Sequence, residues 1–196
     1  EVERRVQSVV RPEILAERAY HVPGTDGLVL MHANENPHPL PPALRERIAQ
    51  AVAGVALNRY PDGGGEAVKA ALARALPLPE GAALVLGNGS DELIQILTTA
   101  VAKAGATVLA PDPTFVMYRV YALHAGVRYV AVPLRDDLQV DEGAMLAAIA
   151  RERPAIVWLA SPNNPTGRAV PVATIERILA AAPGVVVVDE AYADFA

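Results

Sequence analysis

Short apolar segments alternate with longer amphipathic segments from residue 83 to the end of the chain, and this alternation constrains the fold more than any other feature. The pattern predicts strands at residues 83–86, 107–110, 127–134, 156–160 and 185–188. It predicts helices between them, at residues 91–103, 115–124, 141–153 and 172–182. Apolar strands separated by helices are typical of a mainly parallel sheet with helices on both faces. We therefore predict an α/β fold.

The segment before residue 83 is less regular. Residues 3–19 carry apolar side chains at helical spacing that Pro12 interrupts, and such an arm is too short to be stable without a surface to lie on. The pair Pro41-Pro42 predicts the start of a helix that runs towards Ala53, and residues 66–76 predict another. An arm and two helices are thus expected ahead of the α/β pattern.

Composition and charge argue against several function classes. The 196 residues are 52% hydrophobic and 20% charged, which suits a globular core. A net charge of −5 argues against binding to nucleic acid or to an acidic membrane surface, and no apolar run is long enough to span a membrane. Because cysteine is absent and the four histidines show no metal-ligand spacing, we expect no disulfide and no metal site. We expect a soluble, cytoplasmic protein.

Polar loops rich in glycine and proline follow four of the predicted strands directly. They span residues 87–92, 111–115, 161–167 and 189–192. In open α/β sheets, ligands bind beyond the carboxyl ends of the strands. Because the carboxyl ends of parallel strands meet at one edge, we expect the four loops to converge on a single site.

The first of these loops has features of a phosphate site. Glycine permits close approach of an anion, a helix start offers unpaired N–H groups, and Ser90 adds a hydroxyl donor. An ordinary strand-to-helix turn capped by Asn88 or Ser90 accounts for the same residues. The loop lacks the lysine of a P-loop and the glycine spacing of a dinucleotide fingerprint, which argues against a generic nucleotide-binding domain.

An acid and two amides follow two of the later strands. Asp189 ends an apolar strand that we expect to be buried, where a carboxylate is costly unless a cation or hydrogen-bond donors meet it. A protonated ring nitrogen would serve as that partner, and so would the backbone of the following turn. In residues 161–167, Ser-Pro-Asn-Asn-Pro-Thr-Gly, two prolines fix the backbone around two amides. We expect at least one asparagine to donate to a fixed oxygen, and a rigid turn without a ligand is the alternative.

The order and spacing of these loops resemble those of fold-type I aminotransferases, which bind pyridoxal 5'-phosphate (PLP). Residues 161–167 and the sequence Asp-Glu-Ala-Tyr at 189–192 are similar to the signature loops of that family. The likeness to its histidinol-phosphate branch is strongest at residues 31–37, 59–61, 87–93 and 113–118. The resemblance implies an aspartate-aminotransferase-like fold, truncated here, and transfer of an amino group from histidinol phosphate to 2-oxoglutarate.

The resemblance implies that the PLP phosphate is held mostly by backbone N–H groups of Gly89, Ser90 and Asp91. Tyr60 would reach the phosphate in the neighbouring subunit, so a homodimer is implied. Residues 1–42 would form an arm and part of a small domain, and residues 43–196 would form the N-terminal part of the large PLP-binding domain.

The resemblance also implies contacts to the cofactor ring. Phe115 would stack on the pyridine, where the family often has tyrosine, and Asp189 would pair with the ring nitrogen. Asn164 and Tyr192 would hydrogen-bond the ring oxygen, and with Asp189 they are the expected catalytic residues. Ordinary core packing is the alternative for Phe115 and Tyr192.

This sequence has fewer counterparts of the family's substrate contacts, and it has no counterpart of the family's reactive lysine. Tyr20 and Asn34 would line the substrate pocket by resemblance. The family holds PLP as a Schiff base on a lysine beyond the Asp-Glu-Ala-Tyr segment. The lysines here, Lys69 and Lys103, are both in predicted helices and are expected at the surface. We therefore expect a fragment that does not catalyse transamination by itself.

Other functions remain open at this stage. Relatives on the same framework transaminate aromatic amino acids or decarboxylate a phosphorylated threonine. A different class of protein, a non-catalytic phosphate-binding or dimerisation module, would end naturally near residue 196 and have no Schiff-base lysine in the same chain.

Overall fold

The computed structural model describes residues 1–18, 24, 27–29, 36–76 and 78–195. The chain divides into two compact units, one formed by Glu1–Glu17 with Leu86–Ala196 and the other by Arg18–Val85. The described helices are α1 (Val2–Val9), α2 (Pro12–Leu15), α3 (Pro42–Ala53), α4 (Glu66–Ala75), α5 (Gly89–Ala100), α6 (Met117–Ala125), α7 (Glu142–Glu152) and α8 (Val172–Ala181), followed by a 3-10 helix at Ala193–Phe195. The described strands are β1 (Thr107–Asp112), β2 (Arg128–Pro133), β3 (Ile156–Ala160) and β4 (Val185–Asp189).

The strands of the first unit form one sheet in the order β2-β1-β3-β4, and every pairing between described strands is parallel. The register places Ala160 opposite Asp189 and Asp112 opposite Pro133. Parallel neighbours need crossover connections, which the intervening helices supply. The carboxyl ends of the strands therefore lie along one edge, and the predicted α/β architecture is confirmed.

Helices cover both faces of this sheet because its inner strands are apolar on both sides. Val108 packs in one core cluster with Tyr118 of α6, whereas the next residue, Leu109, packs in a second cluster with Met145 of α7. All four side chains are fully buried. Successive side chains of a strand point to opposite faces, so α5 and α6 pack on one face and α7 and α8 on the other.

The N-terminal arm lies on the end of α6. The guanidinium of Arg11 donates to the backbone oxygens of Leu123 and His124, at 3.0 and 2.6 Å. His124 Nε2 lies 2.6 Å from a carboxylate oxygen of Glu17. A cation at a helix C-terminus is favoured by the unpaired carbonyl groups and by the helix dipole. The expectation that the arm needs a surface to lie on is confirmed.

Three expectations about the elements are wrong. Residues 83–86 form no strand in the described structure, and Val85 is 68% exposed, because an apolar sequence cannot by itself supply a hydrogen-bonding neighbour. β4 is half-buried rather than buried, with Val185 51% exposed, since β3 is its one partner among the described strands. Lys103 lies past the end of α5, which stops at Ala100.

The second unit contains α3 and α4, where the sequence predicts helices. α3 begins at Pro42 and ends at Ala53. On α4, Lys69 Nζ lies 3.3 Å from a carboxylate oxygen of Glu66. The domain division at residue 42 stays a prediction. Across the described residues, every helix is too short or too polar to cross a membrane.

Candidate active site

One cavity lies at the carboxyl ends of β3 and β4, and all four predicted loops contribute to it. Ser90 comes from the start of α5 and Phe115 from the loop after β1. Asn164 lies in the loop after β3, while Asp189 and Tyr192 lie at the end of β4. The convergence expected from the sequence is found, although the first loop follows a segment without regular secondary structure rather than a strand.

The cavity is an open recess and not a closed pocket. Its volume is about 30 Å³, which is room for about one water molecule. A ligand larger than this must lie across the recess, in contact with the residues that line it.

The start of α5 presents unpaired donors to this recess. Gly89 has φ of +79°, a conformation that glycine adopts without strain. The side chain of Asn88 makes no cap hydrogen bond to the helix. Instead, Asn88 donates from its backbone N and Nδ2 to Glu92 Oε2, at 2.5 and 3.0 Å. The N–H of Gly89 donates to the backbone oxygen of Gly87 at 3.0 Å. The N–H groups that follow it in the first turn of the helix have no partner within the helix and are available at Ser90.

Asp189 is held by two hydrogen bonds from the protein. The buried hydroxyl of Tyr118 donates to Oδ2 at 2.7 Å, and the backbone N–H of Ala191 donates to Oδ1 at 3.1 Å. The second contact is the turn-capping role that we considered as an alternative. The first is a contact from a different element, and a carboxylate has lone pairs left over after accepting both. Asp189 therefore caps its turn and still has acceptor capacity towards the cavity.

A cluster of aromatic side chains packs behind Phe115, which lines the cavity. The Phe115 ring meets the Tyr118 ring edge-on, with centroids 5.7 Å apart. Tyr118 in turn stacks on Trp158, with centroids 4.9 Å apart and the planes 5° from parallel. Burial, followed by the hydrogen bond from Tyr118 to Asp189 and the charge of that carboxylate, raises the pKa of Tyr118 far above its ordinary value. Tyr118 is therefore a neutral hydrogen-bond donor throughout the working pH range of proteins.

The two neighbouring asparagines have different environments. Asn163 is buried and its amide is fully occupied: Oδ1 accepts from the Thr114 hydroxyl at 2.6 Å, and Nδ2 donates to Pro113 O and to Thr166 Oγ1, both at 3.0 Å. Asn164 lines the cavity instead. One asparagine thus joins two loops, while the other lines the cavity.

Some predicted site residues lie away from the cavity lining. Gly89 and Asp91 flank Ser90 but do not line the recess. Oδ1 of Asp91 is buried and has no hydrogen-bond partner among the described residues. Tyr60 belongs to the second compact unit and is fully exposed. Tyr20 and Asn34, the expected substrate contacts, lie outside the described residues.

Sequence reasoning missed both lining and supporting residues. The missed lining residues are Ala160, Pro162 and Ala191. The supporting roles of Thr114, Asn163 and Tyr118 were also missed. One signal was present, because Phe115 and Tyr118 are three residues apart in the helix predicted at residues 115–124, and residues at that spacing share a helix face.

Comparison with known proteins places these features in a family. The model of the class I and II aminotransferases matches residues 26–196. A histidinol-phosphate aminotransferase of Chromobacterium violaceum is 54% identical over 97% of this chain and 54% of that protein. One from Thiocapsa roseopersicina is 51% identical over 94% of this chain and 98% of that protein.

A solved structure is similar in fold as well. The histidinol-phosphate aminotransferase of Sinorhizobium meliloti, in complex with pyridoxal-5'-phosphate, has a TM-score of 0.79 at 30% identity, over 96% of this chain and 52% of that one. The chain spans about half the length of curated relatives such as the one from Chromobacterium violaceum. The match to the family model over nearly the whole chain, together with the shared fold, shows that this chain belongs to the class I and II aminotransferases.

Proposed function

We propose that the full-length protein is a PLP-dependent aminotransferase that moves an amino group from histidinol phosphate to 2-oxoglutarate. The observation that carries the proposal is the meeting of Ser90, Asn164 and Asp189 at one recess beside the carboxyl ends of the strands. Curated relatives at about 50% identity are named histidinol-phosphate aminotransferases, which favours this donor over an aromatic amino acid or a phosphorylated threonine.

The residues of the recess fit PLP by their chemistry. PLP has a phosphate, an aromatic ring, a ring nitrogen that carries a proton and a ring oxygen. The helix start at Ser90 suits the phosphate, and the half-buried carboxylate of Asp189 suits the protonated nitrogen. The aromatic face of Phe115 suits the ring, and the amide of Asn164 suits the oxygen. Each part of the cofactor therefore has a matching group on this chain.

Each residue has a defined task in the proposed reaction. When bound, PLP supplies an electron sink for the electron pair left on the substrate's α-carbon. Asp189 holds the proton on the ring nitrogen, which keeps the ring electron-poor. Ser90 and its neighbouring N–H groups anchor the phosphate, while Asn164 and Tyr192 fix the ring oxygen. Neither Lys69 nor Lys103 lines the recess, so the proposed activity is that of the full-length protein.

Steady-state kinetics of the full-length protein test the substrate. With 2-oxoglutarate as acceptor, we expect kcat/KM for histidinol phosphate to exceed that for phenylalanine by at least about a hundredfold, because a donor phosphate adds charge-assisted hydrogen bonds. Threonine phosphate should release no carbon dioxide. A preference for phenylalanine would make an aromatic amino acid the substrate instead, and decarboxylation of threonine phosphate would make threonine phosphate the substrate.

We also propose a homodimer in which Tyr60 acts on the phosphate bound by the neighbouring subunit. The ring of Tyr60 is fully exposed in its own chain, which leaves it accessible to a partner subunit. We further propose that residues 43–196 belong to the PLP-binding domain. We also propose a cytoplasmic location, which the absence of cysteine suits.

A mixing experiment tests the action of Tyr60 across subunits. Tyr60→Ala and Asp189→Ala dimers should each be nearly inactive. If Tyr60 acts in trans, a mixed dimer contains one site with neither defect, and random mixing should restore about one quarter of wild-type activity. If Tyr60 acts within its own subunit, every site keeps one defect and no activity returns.

A further inference from the structure

Tyr118 is a buried polar residue whose hydroxyl points at the candidate site without lining it. Its side chain is fully buried, and its ring is clamped by the stacked indole of Trp158 on β3 and by the edge of Phe115. A fully buried hydroxyl needs a hydrogen-bond partner, and here the partner is Oδ2 of Asp189, at 2.7 Å. The phenol therefore connects the core to the carboxylate.

The carboxylate of Asp189 is held at both oxygens. Tyr118 donates to Oδ2, and the backbone N–H of Ala191 donates to Oδ1. Two donors on different oxygens fix both the position of the carboxylate and the rotation of its plane. The remaining lone pairs are directed by this arrangement, since neither donor can move without disturbing β3, α6 or the turn after β4.

The chemistry of the pair fixes which group is the hydrogen-bond donor. Loss of the Tyr118 proton would leave two negative charges in contact inside the core, which is strongly unfavourable. Burial and the neighbouring carboxylate accordingly raise the pKa of the Tyr118 hydroxyl. The phenol therefore remains a donor, and Asp189 remains the acceptor.

We propose that Tyr118 is a positioning residue that orients the Asp189 carboxylate towards the ring nitrogen of the cofactor. Its hydroxyl donates a hydrogen bond to the carboxylate, and its ring packs against Phe115, which would lie against the cofactor ring. One buried side chain thus sets the relative placement of the two groups that touch the pyridine. This inference rests on the proposed function, and it assigns a role to a residue that does not touch the cofactor.

The test is Tyr118→Phe in the full-length protein, since this change removes the hydroxyl and keeps the stacked ring. We expect the PLP dissociation constant to rise about tenfold, because the Asp189 carboxylate loses one of the two donors that orient it and must be ordered when PLP binds, at a cost comparable to one hydrogen bond. With PLP labelled by ¹⁵N at the ring nitrogen, the NMR signal should move towards that of the unprotonated ring. Tyr121→Phe, on the same helix but outside the recess, is the matched control and should change neither value.

A double-mutant cycle separates positioning from simple support of the fold. In the Asp189→Ala background, Tyr118→Phe should cause less than about a twofold further loss of PLP affinity, because its target is already absent. An equal tenfold loss in that background would overturn the proposal and assign Tyr118 a purely structural role. If Tyr118→Phe folds poorly, the structure of the wild-type protein with PLP decides instead. The proposal requires the Tyr118 hydroxyl within hydrogen-bond distance of Asp189, and a separated pair would overturn it.

The outcomes also distinguish this inference from the proposed function. A wild-type protein that does not bind PLP would contradict the proposed function itself. A wild-type protein that binds PLP, together with a Tyr118→Phe variant that has unchanged affinity and an unchanged ¹⁵N signal, would contradict the role of Tyr118 alone.

Discussion

The hydroxyl of Thr114 donates a 2.6 Å hydrogen bond to Oδ1 of Asn163, which joins the loop after β1 to the loop after β3. Both loops supply residues to the cavity, Phe115 from one and Asn164 from the other. The amide of Asn163 also donates to Pro113 O. The spacing between Phe115 and Asn164 is therefore set by a buried polar network that joins their two loops.

Asn163→Asp should break this network. The substitution removes two donated hydrogen bonds and places a carboxylate against the carbonyl of Pro113, so the free energy of unfolding should fall by about 2–4 kcal/mol. Urea unfolding of the full-length protein measures the change. Asn164→Asp is the matched control and should alter stability by less than about 1 kcal/mol while weakening PLP binding. Equal destabilisation by the two changes would contradict the distinction between these residues.

Gly184→Ala should destabilise the start of β4. A Cβ at this position would lie 2.3 Å from the backbone oxygen of Ala155, and neither strand can shift without breaking the ladder. We expect a loss of at least about 2 kcal/mol, measured as a lower urea midpoint. Gly143→Ala, on the exposed first turn of α7, meets nothing closer than 3.6 Å and should be neutral or slightly stabilising. Similar midpoints for the two variants would mean that β3 and β4 are not so closely packed.

The contact between α7 and α8 should weaken in acid. The Arg177 guanidinium and then the Thr174 hydroxyl lower the pKa of the Glu142 carboxyl to about 2 from an ordinary value of 4.5. The ionised carboxylate therefore stabilises the fold fully above about pH 4.5, and this contribution is lost as the pH falls towards 2.

Glu142→Gln tests this pH dependence. The variant should have a lower urea midpoint than wild type at pH 7, and the difference should shrink as the pH is lowered from about 5 to 3. Glu80→Gln, at an exposed loop position, should match wild type at every pH. A constant difference between the Glu142 variant and wild type across this range would show that its ionisation does not contribute.

Ser90→Ala should reduce affinity for the cofactor without affecting folding. The hydroxyl has no hydrogen-bond partner among the described residues and lies at the recess, so its removal costs the protein nothing but costs a bound phosphate one charge-assisted donor. We expect the dissociation constant for PLP to rise about tenfold in a fluorescence titration. Ser8→Ala, on the N-terminal arm, is the control. Unchanged affinity in the Ser90 variant would place the phosphate elsewhere.

The alternation of apolar strands and helices was sufficient to predict the sheet and its flanking helices. It failed at residues 83–86, whose apolar sequence has the composition of a strand but no partner among the described residues. Strand formation depends on a neighbouring strand, and a local pattern does not contain that information. The half-exposed β4 differs from expectation for the same reason.

The candidate site was predictable to the level of loops but not of individual roles. Asn163 and Asn164 are adjacent and identical in type, so only the fold shows which is buried in a network and which faces the recess. Tyr118 was equally hidden, because its contact with Asp189 joins residues that are 71 positions apart. Long-range hydrogen bonds of this kind leave no periodic signal in the sequence.

The central claim is that the strand-end loops hold a phosphorylated pyridine with Asp189 at its ring nitrogen. Visible absorption of the full-length protein, titrated with PLP, tests it most directly. We predict a saturable band distinct from that of free PLP, which shifts when histidinol phosphate is added and is weakened in Asp189→Ala. A folded full-length protein that leaves the spectrum of PLP unchanged would contradict the account.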